Sequence, residues 1–88
     1  MAELTGKIIE INPEERINDT LTKRTFVIED ESKYHNTVCF ELINDKTDII
    51  EYYNVGDRIE VLYSVKSRKS KDDRWFTSAA CYSLKRAV

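Results

Sequence analysis

A glycine turn followed by a long alternating segment is the feature that most constrains how this chain can fold. Apolar side chains occupy alternate positions from 59 to 65 within segment 58–68, namely Ile59, Val61, Tyr63 and Val65. A period of two places such side chains on one face of a β-strand. Gly56 tolerates the positive φ of the preceding turn. Lys66 and Arg68 lie at the end of the segment, and Lys69 follows it directly. The sequence therefore predicts a half-buried strand with a basic end.

The charge of the chain is segregated rather than uniformly basic. The 88 residues suit one domain, which buries about 60 to 65% of its unfolded surface. The 14 Lys and Arg residues against 16 Asp and Glu give a formal charge of −2. Segment 66–74 nevertheless carries five basic residues and two acidic ones. Binding of a polyanion would depend on such local charge, although the run also suits an ordinary solvated loop.

The remaining composition argues against metal sites, secretion and catalysis. Cys39 and Cys81 lack a CxxC spacing and the chain has one histidine, so we expect buried free thiols, with a disulfide as the alternative. With no signal peptide or long apolar run, we expect a cytoplasmic protein without membrane contact. Two glycines cannot form a phosphate-cradling loop, and no nucleophile–base pair stands out. We therefore expect a non-enzyme without a cofactor or small-molecule substrate.

The order of predicted elements is β, β, β, α, β, β. Strands are predicted over 4–12, 21–29, 34–43, 58–68 and 75–84, with a short helix over 44–53 where apolar residues change to helical spacing. Pro13 ends the first strand and 13–20 is expected to be a loop. The polar turn 30–33 makes strands two and three a hairpin.

Five strands with one short helix between the third and fourth indicate an all-β domain over 1–88. They are typical of the five-stranded OB-fold, a Greek-key barrel that binds ligands through strands two and three and through the loops joining strands one to two and four to five. A small β-grasp or SH3-like domain also suits alternating strands, but explains the helix position less well.

Two segments resemble the bacterial-type single-stranded DNA-binding protein family. Tyr34-His35 followed by Phe40 resembles the family's third-strand tryptophan-histidine pair and later phenylalanine. Segment 52–69 resembles its helix end, glycine turn and basic fourth strand, and Arg74-Trp75 resembles the arginine-tyrosine that opens its last strand. Ser70 stands where the family has a further tryptophan, and the family's acidic tail is not found. The whole length also looks like a group of small standalone OB domains.

The resemblance implies sequence-independent binding of single-stranded DNA during replication, recombination or repair, by a homo-oligomer, a dimer or tetramer. Aromatic rings stack on bases, worth about 1 to 3 kcal/mol each, while Lys and Arg neutralise phosphates. The candidate nucleic-acid-binding residues are Arg24, Tyr34, His35, Phe40, Lys66, Arg68, Lys69, Lys71, Arg74 and Trp75.

Alternatives remain for both the residues and the function. Phe40 shares the parity of Val38 and Leu42, so strand pattern alone favours a core position. Trp75 suits a core plug as well as a stacking residue, whereas Tyr34 at a loop–strand junction suits the surface. An OB-fold protein–protein adaptor and an RNA-binding domain are the alternative functions. Subunits are expected to pair through the first strand.

Overall fold

The structure, a computed structural model, describes residues 2–87 as six strands and two short 3₁₀ helices. The strands are β1 (Ala2–Ile11), β2 (Glu15–Asn18), β3 (Leu21–Asp30), β4 (Thr37–Ile43), β5 (Arg58–Lys69) and β6 (Trp75–Arg86). The 3₁₀ helices span Asn44–Lys46 and Ile49–Tyr52. No helix within residues 2–87 is long and apolar enough to cross a membrane.

Five of the strands close into a hydrogen-bonded ring. The strand order is β1-β5-β6-β4-β3-β2, and an additional β1–β3 pairing joins the two sides. Every pairing is antiparallel except that of β4 with β6, which is parallel. The expected all-β class and the hairpin of β3 and β4 are confirmed, whereas β2 lies outside the ring as an extension of β3.

Gly6 lies where β1 is hydrogen-bonded on both sides. It pairs with Asp30 of β3 and with Ile59 of β5. A Cβ atom at this position would lie 2.3 Å from the Glu29 carbonyl oxygen and 2.6 Å from Ile28 Cγ2. Only glycine allows β3 to approach so closely, and the ring depends on this approach. An interface in which two subunits pair along the whole of β1 would require the hydrogen bonds from β1 to β3 and β5 to break.

The ring encloses an aromatic and aliphatic core. Phe40 is fully buried, with its ring centroid 5.5 Å from that of Phe26 and 4.9 Å from that of Tyr63. The core residues are Ile8, Phe26, Ile28, Phe40, Leu42, Ile50, Ile59, Val61, Ala79 and Cys81. The expectation that Phe40 stacks on a base is therefore wrong, since strand alternation turns its ring inwards.

Segment 44–53 does not form the predicted α-helix. It forms two 3₁₀ helices separated by Thr47 and Asp48. Asn44 has a φ of 52°, and the buried Thr47 hydroxyl lies 2.9 Å from the Asn44 carbonyl oxygen and 3.1 Å from Glu14 Oε1. Threonine, aspartate and two β-branched isoleucines have weak helix propensity, so tertiary contacts decide the conformation.

The segment 13–20, expected to be a loop, contains the short strand β2. It pairs with the start of β3, and Asn18 Oδ1 closes the intervening turn by accepting from the Thr20 amide at 2.9 Å. All four β2 side chains are exposed. A strand that buries nothing leaves little periodic signal, which is why the sequence did not reveal it.

The turn between β3 and β4 is longer than predicted, because β4 begins at Thr37 rather than at Tyr34. Asp30 Oδ1 accepts hydrogen bonds from Ser32 and from the Asn36 amide, and His35 has a φ of 50°. The Ser32 hydroxyl, donating to Asp30, holds the pKa of that carboxyl below its ordinary value. These contacts fold 30–36 into a compact turn before the strand starts.

The two cysteines differ in environment. Cys81 is buried, but Cys39 is exposed, and both are free thiols. The expectation of two buried thiols is therefore wrong for Cys39, which has the opposite strand parity to the buried Phe40.

Candidate nucleic-acid interface

A groove lies between the outer face of the β3–β4 hairpin and the extended end of the β5–β6 hairpin. We call that end, residues 66–78, the arm. The groove has a volume of about 450 Å³. It is lined by Leu21, Lys23, Glu41, Ile43, Lys66, Ser67, Arg68, Phe76 and Ser78. Because Lys66 pairs with Ser78 and Arg68 with Phe76, strand alternation places these four side chains on one face of the arm.

The groove is cationic although the chain as a whole is anionic. Lys66 and Arg68 are exposed on the arm. Lys23 lines the opposite wall, where its Nζ lies 2.8 Å from Glu41 Oε1. Glu41 is the one carboxylate among the lining residues, so the groove keeps a positive excess beside a chain of formal charge −2. Such local charge governs binding within about one Debye length, about 8 to 10 Å.

A second hollow of about 330 Å³ continues the groove past Glu41, Ile43 and Lys66. Lys46 lies here with its Nζ 5.8 Å from the centroid of the Tyr82 ring. The Ser64 hydroxyl donates to the Tyr82 hydroxyl at 3.1 Å and, with the nearby Lys66 charge, lowers the pKa of that phenol. The hollow carries Lys46 and Lys66 but also Glu41 and Asp45, so the positive excess is confined to the groove beside the arm.

Phe76 is the aromatic side chain of the groove. It is 53% exposed, and its neighbour Trp75 is 68% exposed. Trp75 pairs with Lys69, so it lies on the opposite face of the arm from Phe76. Trp75 is thus not a core plug. The residues predicted from the sequence did not include Phe76 and Lys23. Phe76 could have been identified, because it lies an odd number of positions from the buried Ala79 and strand alternation therefore turns it outward.

The remaining basic candidates lie at the tip of the arm. Lys69 Nζ is 3.3 Å from Asp73, and Arg74 Nε is 3.6 Å from Asp72. Lys71 is exposed in the same loop. Ser70 lies at the position where the resembled family has a tryptophan. Its carbonyl oxygen accepts a hydrogen bond from the Asp73 amide, and its hydroxyl donates one to Asp72. The tip therefore carries three cations, two of which are partly neutralised by carboxylates.

Tyr34 and His35 lie at the turn end of the β3–β4 hairpin and do not line the groove. Tyr34 is 73% exposed, with Lys33 Nζ 5.2 Å from its ring centroid. His35 Nδ1 lies 3.2 Å from Glu29 Oε1 in a separate hollow rich in carboxylates. The structure thus separates these two candidates from Lys66 and Arg68.

Arg24 is already engaged within the protein. Its Nε donates to the Asn12 carbonyl oxygen at 2.9 Å and its Nη1 pairs with Glu51. Its side chain is only 15% exposed. Arg24 therefore ties the end of β1 to the second 3₁₀ helix, and its contact with a phosphate stays a prediction.

Comparison with known proteins gives a family without an assigned activity. None of the curated proteins matches the chain. A protein-family model described as a domain of unknown function, DUF3127, matches residues 3–85. This match covers nearly the whole chain, and the protein therefore belongs to the DUF3127 family.

Proposed function

We propose that this protein is an OB-fold domain that binds single-stranded DNA in the groove beside the arm. The observation that carries the proposal is the shared face of Lys66, Arg68 and Phe76. An exposed aromatic ring beside two cations supplies both ingredients of single-strand binding, a stacking surface and phosphate contacts.

The strand connectivity supports the OB-fold part of the proposal. In the ring, β1, β3, β4, β5 and β6 act as strands one to five, with the 3₁₀ segment between the third and fourth. The groove crosses β3 and β4, and the arm that borders it contains the loop between strands four and five. Binding across strands two and three between such loops is typical of OB-folds.

The chemistry of the groove favours tolerance of sequence. Every base offers a π face to Phe76, and Lys66 and Arg68 meet a phosphate whatever the base. We propose that the protein covers exposed strands in replication, recombination or repair, acting as a homo-oligomer. Affinity should decrease with salt, because each neutralised phosphate releases counterions.

Fluorescence titration tests the proposal. Labelled oligo-dT, oligo-rU and a duplex are titrated with the protein over a salt series. The expected result is binding of oligo-dT at low salt that weakens as salt rises, with little affinity for the duplex. Tighter binding of oligo-rU would favour the RNA-binding alternative, and no binding of any single strand at low salt would favour the protein–protein adaptor.

A further inference from the structure

A carboxylate lies in the floor of the cationic groove. Glu41 of β4 is paired with Thr25 of β3 on one side and with Ala80 of β6 on the other. Its side chain is 22% exposed and lines both the groove and the hollow that continues it. Glu41 therefore faces anything that enters between the hairpin and the arm.

Only half of the Glu41 carboxylate is engaged. Oε1 lies 2.8 Å from Lys23 Nζ. Within residues 2–87, Lys23 is the sole hydrogen-bonding or ion-pair partner of this carboxylate. Oε2 is thus left as a hydrogen-bond acceptor at the floor, since an ionised carboxylate offers about four lone-pair sites.

Glu41 restricts how a single strand can lie in the groove. A phosphate placed against the floor would meet the negative carboxylate, whereas a phosphate placed against the arm meets Lys66 and Arg68. The favourable orientation therefore has the phosphates along the arm and the base edges towards the floor. In that orientation Oε2 faces base edges rather than the backbone.

We propose that Glu41 gives the groove a preference for bases that carry an exocyclic amino group, cytosine above all, over uracil and thymine. The proposal rests on the proposed single-strand binding. The N4 amino group of cytosine donates to a carboxylate oxygen, and glutamate is a recognised acceptor for it. Uracil has a carbonyl oxygen at the same position, which repels the carboxylate. The preference adds to a binding mode that otherwise tolerates any base.

Oligo-dC and oligo-dU of equal length provide the sharpest comparison. Both are pyrimidines without the thymine methyl group. Their bases differ at C4, which carries an amino group in cytosine and a carbonyl oxygen in uracil, and at N3, which accepts a hydrogen bond in cytosine and donates one in uracil. Oligomers of about 12 nucleotides suit the site size of one OB-fold. Mildly alkaline buffer keeps cytosine neutral. The quantity measured is the ratio of the two dissociation constants, which a general change in charge does not alter.

Glu41→Gln is the test variant, and Glu60→Gln is its matched control. Glu60 is a β5 glutamate whose side chain is 25% exposed and lies 3.5 Å from Lys85 Nζ, so it has similar burial and a similar lysine partner outside the groove. Glutamine at position 41 keeps the side-chain length, but its amide can donate to the uracil carbonyl.

The expected result is that wild type and Glu60→Gln bind oligo-dC roughly tenfold more tightly than oligo-dU, as one good base contact allows, and that Glu41→Gln removes the difference. Equal affinity of the wild type for the two oligomers, or an unchanged ratio in Glu41→Gln, would overturn the inference while leaving single-strand binding intact. Absence of binding to both oligomers at low salt would overturn the proposed function and this inference together.

Discussion

Phe40 and Phe76 lie in opposite environments, so truncating them should affect different properties. Phe40 is fully buried, and Phe40→Ala should lower the free energy of unfolding by about 3 to 5 kcal/mol. Phe76 is 53% exposed, and Phe76→Ala should leave stability nearly unchanged but weaken oligo-dT binding by about 1 to 3 kcal/mol. Urea unfolding and fluorescence titration measure the two effects.

Trp75→Ala is the control for this pair, because Trp75 lies on the other face of the arm. It should reduce binding less than Phe76→Ala does. A larger loss of binding in Trp75→Ala than in Phe76→Ala would show that single strands contact the Trp75 face of the arm and not the groove.

The two thiols should differ in reactivity. Burial raises the pKa of Cys81 from its ordinary value of 9.0 to about 11. An alkylating reagent should therefore modify Cys39 quickly in the folded protein and Cys81 only after denaturation, as mass spectrometry of digested protein would detect. Rapid modification of Cys81 in native buffer would contradict its placement in the core.

The raised Cys81 pKa also predicts a pH dependence of stability. A thiol with a higher pKa in the folded protein stabilises the fold fully below pH 9 and loses that contribution as pH rises towards 11. The urea midpoint should therefore fall over that window less in Cys81→Ala than in wild type. An identical fall of the urea midpoint in both proteins would show that groups other than Cys81 cause the loss of stability at alkaline pH.

At the scale of single elements, the arm should account for most of the salt dependence. Lys66→Ala and Arg68→Ala should each reduce the slope of log affinity against log salt by about 0.7, the value for one phosphate of a single strand. Lys85→Ala removes a cation that pairs with Glu60 away from the groove, so it should leave the slope unchanged. Equal slopes in all variants would exclude the arm as the phosphate contact.

The close approach of β1 and β3 at Gly6 should be essential for stability. Gly6→Ala places a methyl group against the Glu29 carbonyl oxygen, and overpacking of this kind typically costs about 1 to 3 kcal/mol. Lys7→Ala, at the neighbouring exposed position, is the control. Urea unfolding with equal midpoints for both variants would show that the ring relaxes around an added Cβ.

Elements with a buried face were predictable from the sequence, and those without one were not. The strand 58–68 was predicted because Ile59 and Val61 fill the core and Tyr63 packs against it, and β5 spans Arg58–Lys69. The exposed β2 has no such pattern. The 44–53 segment has helical spacing, but Thr47 hydrogen bonds and the left-handed Asn44 convert it into 3₁₀ turns. The sequence predicted the basic residues of the arm. It did not predict the groove, because the groove depends on the position of the arm relative to β3 and β4.

The whole molecule combines a negative formal charge with one positive groove. The overall charge of −2 does not reveal the cations that β3 and β5 place together in the groove. The carboxylates concentrate elsewhere, as in the hollow that holds Glu29, Asp30 and Glu31 at the other end of the hairpin. This separation should orient a polyanion towards the arm and away from the turn.

Mapping of amide chemical shifts during oligo-dT titration locates the binding surface residue by residue, and so tests whether single strands bind in the groove. The largest shifts should fall on the groove residues Lys23, Glu41, Lys66, Arg68 and Phe76, and the signals of His35 and Arg58 at the far hollow should stay nearly unchanged. Shifts concentrated at His35 and Arg58, or no shifts at low salt, would contradict binding in the groove.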